Sequence, residues 1–166
     1  EVFTYTLADS WGSVDAAELR ITVAGVNDAP VAADDVAAVD AGSAYTANVA
    51  NGVIAGNDAD VDTGDALTVA SVRTGLESGS GTSGSVGVGL AGTYGTLTLL
   101  ADGGYTYAAD NAASLAAGAT ATDTFTYTVS DGSGATDTAA LTVTVTGVND
   151  GPLAADDAGS VTAAQT

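Results

Sequence analysis

The 166-residue chain contains no cysteine, histidine, methionine or lysine, and its only basic residues are Arg20 and Arg73. Each absence excludes a chemistry. Without cysteine there is no disulfide and no zinc–thiolate site, although the compartment stays open. Without histidine, cysteine or lysine, catalysis would have to run on paired carboxylates of the glycosidase kind. Acids gathered in a metal-binding loop account for the same composition with fewer demands, so no enzyme is expected. Two cations stand against 21 acids, a formal net charge of −19. Nucleic acid and anionic membrane surfaces are both held by Lys and Arg that displace counterions, so neither is expected as a partner. No apolar run approaches the roughly 18 residues of a membrane span, and residues 1–30 do not read as a signal peptide. The missing methionine, even at position 1, leads us to expect a processed product or a piece of something longer. Aromatics are scarce as well, nine in all, and much of the 46% hydrophobic content is alanine. Such a core is thin for its length and calls for help from neighbouring domains or a bound ion.

What is present is alternation and repetition. "TFTYTV" (124–129) places Phe125, Tyr127 and Val129 on one face and threonines on the other, and "LTVTVT" (141–146) does the same with Leu141, Val143 and Val145. Period-two patterning with β-branched and aromatic residues marks half-buried strands rather than disorder. Residues 1–44 also align without a gap onto 123–166 at an offset of 122, with 22 of the 44 pairs identical. "GVNDAP" (25–30) returns as "GVNDGP" (147–152). The chain therefore reads as a window on a tandem array: the last two strands of one repeat (1–26), one complete repeat (27–148), and the linker and first strand of the next (149–166).

Within the complete repeat, strands are expected near 30–39, 43–50, 66–73, 96–100, 105–109, 123–130 and 137–147. A Gly/Ser-rich connection lies at 75–95, and one helical turn is expected at 111–118. Seven short antiparallel strands in about 120 residues fit an all-β, immunoglobulin-like or cadherin-like antiparallel β-sandwich, repeated in tandem as separate domains.

The acids avoid the strands. Asn27 and Asp28 lie in the linker, Asp58, Asp60, Asp62 and Asp65 crowd one loop, and Asp131 opens the last hairpin. In a seven-strand sandwich these three segments share the pole at which the chain enters. Glu1, at the exit end of the preceding repeat, is expected to face this pole, with Asp123 as its equivalent at the next junction. Two carboxylates ~4 Å apart repel by ~4 kcal/mol at an effective dielectric of ~20, so several such pairs in one loop favour a cation. Asp side chains with Asn and backbone carbonyls supply the six to eight hard oxygens that Ca²⁺ takes, whereas zinc would ask for His or Cys. The candidate calcium ligands are Asn27, Asp28, Asp58, Asp60, Asp62, Asp65 and Asp131, with Asn149 and Asp150 at the following seam. A merely solvated acidic surface would scatter acids over the exposed strand faces, which carry threonine instead.

In "GNDADVDTGDALTV" (56–69), "GTYGTLTLLADGGYTYAAD" (92–110), "DTFTYTVSDGSG" (123–134) and "GVNDAPVAADD" (25–35) the chain resembles the VCBS repeats, cadherin-like and bacterial immunoglobulin-like modules of large secreted RTX-type adhesins. The resemblance covers nearly the whole chain. It implies secretion to the bacterial surface or beyond, and a role as the stalk of an adhesin or an extracellular filament, with neighbouring repeats as partners. It also implies that Asn27–Asp28 and Asn149–Asp150 act as linker ligands, and "DAD" (58–60) as a ligand pair on the following domain. "DVDTGD" (60–65) departs from an EF-hand: its glycine falls one position late and no glutamate closes the loop. "GSGTSGSVGVG" (79–89) is followed by neither lysine nor helix, so it reads as a connection and not a phosphate loop. Trp11, where the other copy has Ser133, is expected at a hairpin tip, packing on a neighbour or serving as a sugar platform. The competing expectation is accordingly a module that binds a cell-surface glycan or protein.

Overall fold

The computed structural model describes residues 1–152 and 154–160. Among these residues every regular element is a strand: β1 (Val2–Ala8), β2 (Val14–Arg20), β3 (Asp35–Asp40), β4 (Ala44–Ala47), β5 (Thr68–Thr74), β6 (Ser83–Gly84), β7 (Leu90–Ala91), β8 (Thr96–Leu99), β9 (Tyr105–Ala108), β10 (Thr120–Ser130) and β11 (Thr136–Thr146). They form a β1–β2 hairpin, a five-stranded sheet ordered β3-β11-β10-β5-β6, and a four-stranded sheet ordered β4-β9-β8-β7.

The two larger sheets build one core by alternation. Phe125, Tyr127 and Val129 of β10 and Leu141, Val143 and Val145 of β11 are buried against Leu97, Leu99, Tyr105 and Tyr107 of β8 and β9. Phe125 meets Tyr107 edge-on, with ring centroids 6.2 Å apart, the arrangement that ring quadrupoles favour. On the opposite face of the hairpin, threonines pair across the strands, Thr122 with Thr144, Thr124 with Thr142 and Thr128 with Thr138, packing β-branched methyls over the sheet.

In β5 the alternation is reset within the strand. Val69 and Val72 are both buried although three residues apart. Val129 pairs with Val69 and Thr128 with Ser71, so Ala70 is an extra residue on the β5 side. This bulge resets the pleat and turns both valines inward.

Three expectations change. The strand expected over 30–39 is regular only from Asp35, and it pairs parallel to β11, Asp35 beside Leu141. Parallel pairing is forced once β3 and β11 both start from the pole that carries the last hairpin turn. The Gly/Ser stretch contributes the two-residue strands β6 and β7, raising the sandwich to nine strands. Residues 111–118 form turns, not a helical turn; Leu115 N–H donates to Ala112 O and Gly118 N–H to Gly147 O. Of the strand expected over 153–162, Leu153, Val161 and Thr162 lie outside the described residues. Residues 154–160 are exposed and not in a strand.

Candidate metal centre

The segment before β3 is strapped to the acidic loop by hydrogen bonds rather than by sheet. Val31 and Ala59 form an isolated antiparallel bridge, N–H to O at 2.8 and 3.0 Å. On either side, carboxylates take the place of carbonyls: Asp28 N–H donates to Asp62 Oδ2 (2.7 Å), Ala32 N–H to Asp137 Oδ2 (2.9 Å) and Ala33 N–H to Asp58 Oδ1 (2.8 Å). Asp34 Oδ1 in turn accepts from Ala140 N–H at 2.9 Å. Acids thus satisfy the backbone of the linker where parallel pairing with β11 has not yet begun.

At the head of this strap, Asp60, Asp65 and Asp131 each bring a carboxylate oxygen within 4.8 Å of the other two. Oxygens that share one cation at roughly 2.4 Å lie no farther apart than that. Asp131 is fixed by its own turn, its Oδ1 accepting from the N–H groups of Ser133 (2.9 Å), Gly134 (2.5 Å) and Ala135 (2.8 Å). Its Oδ2 is left to face Asn27, whose Nδ2 donates to it at 2.8 Å. Asp60 Oδ1 accepts from Asp62 N–H at 2.8 Å, while Asp60 Oδ2 is buried with no hydrogen-bond partner. A buried carboxylate oxygen without a donor costs on the order of 1–3 kcal/mol, more when charged. Desolvation and the charges of Asp60, Asp131 and Asp62 push the Asp65 carboxyl above its ordinary value, whereas the Asn27 hydrogen bond and the turn amides hold Asp131 below its own.

Deeper in, a second set of acids surrounds the buried Tyr127 hydroxyl, which donates to Asp35 Oδ2 (2.8 Å) and lies 3.5 Å from Asp58 Oδ2. Asn57 Nδ2 donates to Asp35 Oδ1 at 3.1 Å. Burial, with the Asp35 charge beside it, pushes Asp58 up to about 6, and burial likewise raises Asp35.

A family profile described as a bacterial cadherin-like domain matches residues 27–147. The chain belongs to the bacterial cadherin-like domains. No curated protein matches the sequence. Among solved structures, an endo-fucoidan hydrolase of glycoside hydrolase family 107 aligns with 89% of this chain and 19% of its own, at 20% identity and a TM-score of 0.39. The chain thus spans about a fifth of that enzyme's length, and so low a score bears on neither fold nor activity.

The cadherin-like domain gathers only some of the acids singled out from its sequence. Asn27, Asp60, Asp65 and Asp131 converge, and Asp62 and the Asp28 backbone brace them. Asp58 turns away, toward Ala33 and Tyr127. Asn149 and Asp150 are exposed beyond the far end of β11, an eleven-residue strand and so roughly 36 Å from the cluster. The expectation for Asp123 is overturned. It is buried and accepts from the N–H groups of Thr93, Tyr94 and Gly95 and from the Tyr107 hydroxyl at 2.7 Å, which makes it a structural cap rather than a junction ligand. Sequence reasoning missed the Asp35–Tyr127 network. Its signal was present, since Tyr127 and Asp35 both recur at the 122-residue offset as Tyr5 and Asp157.

The residues fit a hard divalent cation. Three aspartates converge, all donors are oxygen, Asp60 Oδ2 lacks any other partner, and the Asn27 side chain can turn its Oδ1 inward in place of Nδ2. No helix of the described residues is long and apolar enough to cross a membrane.

Proposed function

We propose that this cadherin-like domain is a non-catalytic structural module of an extracellular bacterial adhesin or filament, stiffened by Ca²⁺ where the linker meets the acidic loop. The partnerless, buried Asp60 Oδ2 within the Asp60–Asp65–Asp131 cluster carries the reading. A cation there would bind linker (Asn27), loop (Asp60, Asp65) and hairpin turn (Asp131) together, and so fix the direction in which the chain enters the sandwich. Neighbouring repeats would be the partners of such a module, and secretion its route.

A glycan-binding module is supported less. A cleft of about 500 Å³ is lined by threonines and Asp123. The four acceptor contacts of that aspartate are already taken, and the lining offers a sugar ring no aromatic face. Trp11 stands alone at the β1–β2 turn.

Calorimetric titration of the metal-free chain with CaCl₂ tests the proposal. Saturable binding is expected in wild type and its loss in Asp60→Ala. Equal heats in the two proteins would sink it.

A further inference from the structure

Asn51 is the one asparagine in the chain that precedes a glycine; the others precede aspartate, valine or alanine. Asn51 and Gly52 lie in the turn that follows β4, ahead of the acidic loop. Glycine has no Cβ to shield its nitrogen. The amide nitrogen of Gly52 can therefore approach the side-chain carbonyl carbon of Asn51, Cγ, and close a five-membered ring.

Three features of this turn favour that reaction. The nucleophile is free: Gly52 is buried, yet its N–H donates to no described residue, whereas buried amides are nearly always paired. The electrophile is polarised: Asn51 Oδ1 accepts from Asn48 N–H at 2.8 Å, which draws electron density away from Cγ. Asn51 N–H donates back to Asn48 O at 3.0 Å, so the turn also holds the side chain in place. Finally, Asn51 is exposed, so water can enter and ammonia can leave. Neighbouring sites of similar sequence lack one feature or another. After Asp102, Gly103 N–H is engaged by Leu100 O at 3.1 Å. Before Gly132, Asp131 offers a carboxylate, a poorer electrophile than an amide, and three turn amides hold its Oδ1. Asn48 precedes Val49, whose branched side chain crowds the nitrogen.

We propose that Asn51 is a site of spontaneous deamidation in the folded domain, with water as the co-reactant, and that the rearranged product loosens the core at Val53. Base in the solvent takes the Gly52 amide proton, the nitrogen bonds to Cγ, and the Cγ–Nδ2 bond breaks to release ammonia. Water then opens the cyclic imide. Cleavage of the new N–Cγ bond leaves aspartate at position 51. Cleavage of the original peptide bond leaves isoaspartate, with the backbone routed through the side chain and one methylene longer. The structure has no room for that methylene. Gly52 packs so closely on the β8–β9 turn that an added Cβ would overlap Gly103 O. Val53 N–H donates to the same carbonyl at 2.9 Å, and Val53 is fully buried. A longer backbone must push Gly52 and Val53 off this turn, exchanging a packed valine for a void.

The 1–166 chain, held folded in mildly alkaline buffer, is followed by isoelectric focusing and by tandem mass spectrometry that separates aspartate from isoaspartate. One added negative charge takes the formal net charge from −19 to −20. That shift is expected to map to Asn51, to slow in mildly acidic buffer, and to be lost in Asn51→Gln, where the ring would be one atom larger. The isoaspartate form, isolated by ion exchange, should melt below the unmodified chain. Mapping of the wild-type chain decides the site whether or not the variant folds. A folded chain that keeps its charge while the urea-unfolded chain converts overturns the proposal. So does conversion spread evenly over Asn27, Asn48, Asn51 and Asn57, or an isoaspartate form that melts with the unmodified chain.

Discussion

Asp123 and Asp58 are the same side chain in opposite circumstances, and each makes a prediction. Asp123 meets four donors, three of them amides of the Thr93–Gly95 turn. Truncation would strand the buried Gly95 amide and Tyr107 hydroxyl; at Gly92 even an added Cβ would lie 2.3 Å from Asp123 Oδ2. Asp123→Ala should therefore cost about 3 kcal/mol or more, read as a lower urea midpoint. Asp58 instead meets one amide and a neighbouring carboxylate, and its carboxyl is raised to about 6 from 3.8. A group raised on folding contributes stability below its unfolded value and loses it as the pH climbs through the folded one. The metal-free domain should thus melt higher at pH 5 than at pH 7. Discounted for its partial exposure, the effect is on the order of 1 kcal/mol. Asp58→Asn should flatten the dependence, and a wild-type midpoint that falls on acidification to pH 5 would refute the assignment. Neither role was legible from composition. An acid in a strand or loop looks the same in sequence whether it faces solvent or caps a buried turn, and only the third dimension supplies the donors.

At the scale of elements, legibility followed periodicity. β8 to β11 alternate over most of their length and were readable to within a few residues, because a threonine face between apolar positions favours one register. β5 was located, but the inward pairing of Val69 with Val72 was not, since spacing of three belongs to no regular strand. The bulge at Ala70 makes it possible. Deleting Ala70 removes the extra residue and leaves Val69, Ser71 and Val72 in strict alternation opposite Val129, Thr128 and Tyr127, so both valines should stay inward. The cost should be about 1 kcal/mol or less. Thermal melts of the deletion variant check this, and a loss of several kcal/mol would show that the bend of the bulge is itself needed by the packing. The linker was the hardest element to read. Val31–Asp34 look like strand in sequence, yet their amides and carbonyls are shared among Ala59, Asp58, Asp137 and Asn57, a pattern set by the acidic loop rather than by alternation.

For the whole molecule, the question is whether 21 acids act as a diffuse charge or a few of them as a site, and ionic strength separates the two. A formal charge of −19 repels itself in general, and 0.15 M NaCl, with a Debye length of about 8 Å, relieves that repulsion wherever the acids sit. Such relief should raise the melting temperature of wild type and Asp60→Ala alike. Calcium at millimolar concentration adds little ionic strength, so in a NaCl background any further rise must come from binding to the folded state. At a hundred times its dissociation constant a ligand stabilises by roughly 2.7 kcal/mol, which moves a domain of this size by about 10 °C. Wild type should show that rise, reversed by chelator, and Asp60→Ala should not. Magnesium, which gives up its waters reluctantly and asks for a tighter octahedron, should do less than calcium at equal concentration. Equal shifts from calcium and from added NaCl, in both proteins, would reduce the cluster to one more patch of a charged surface.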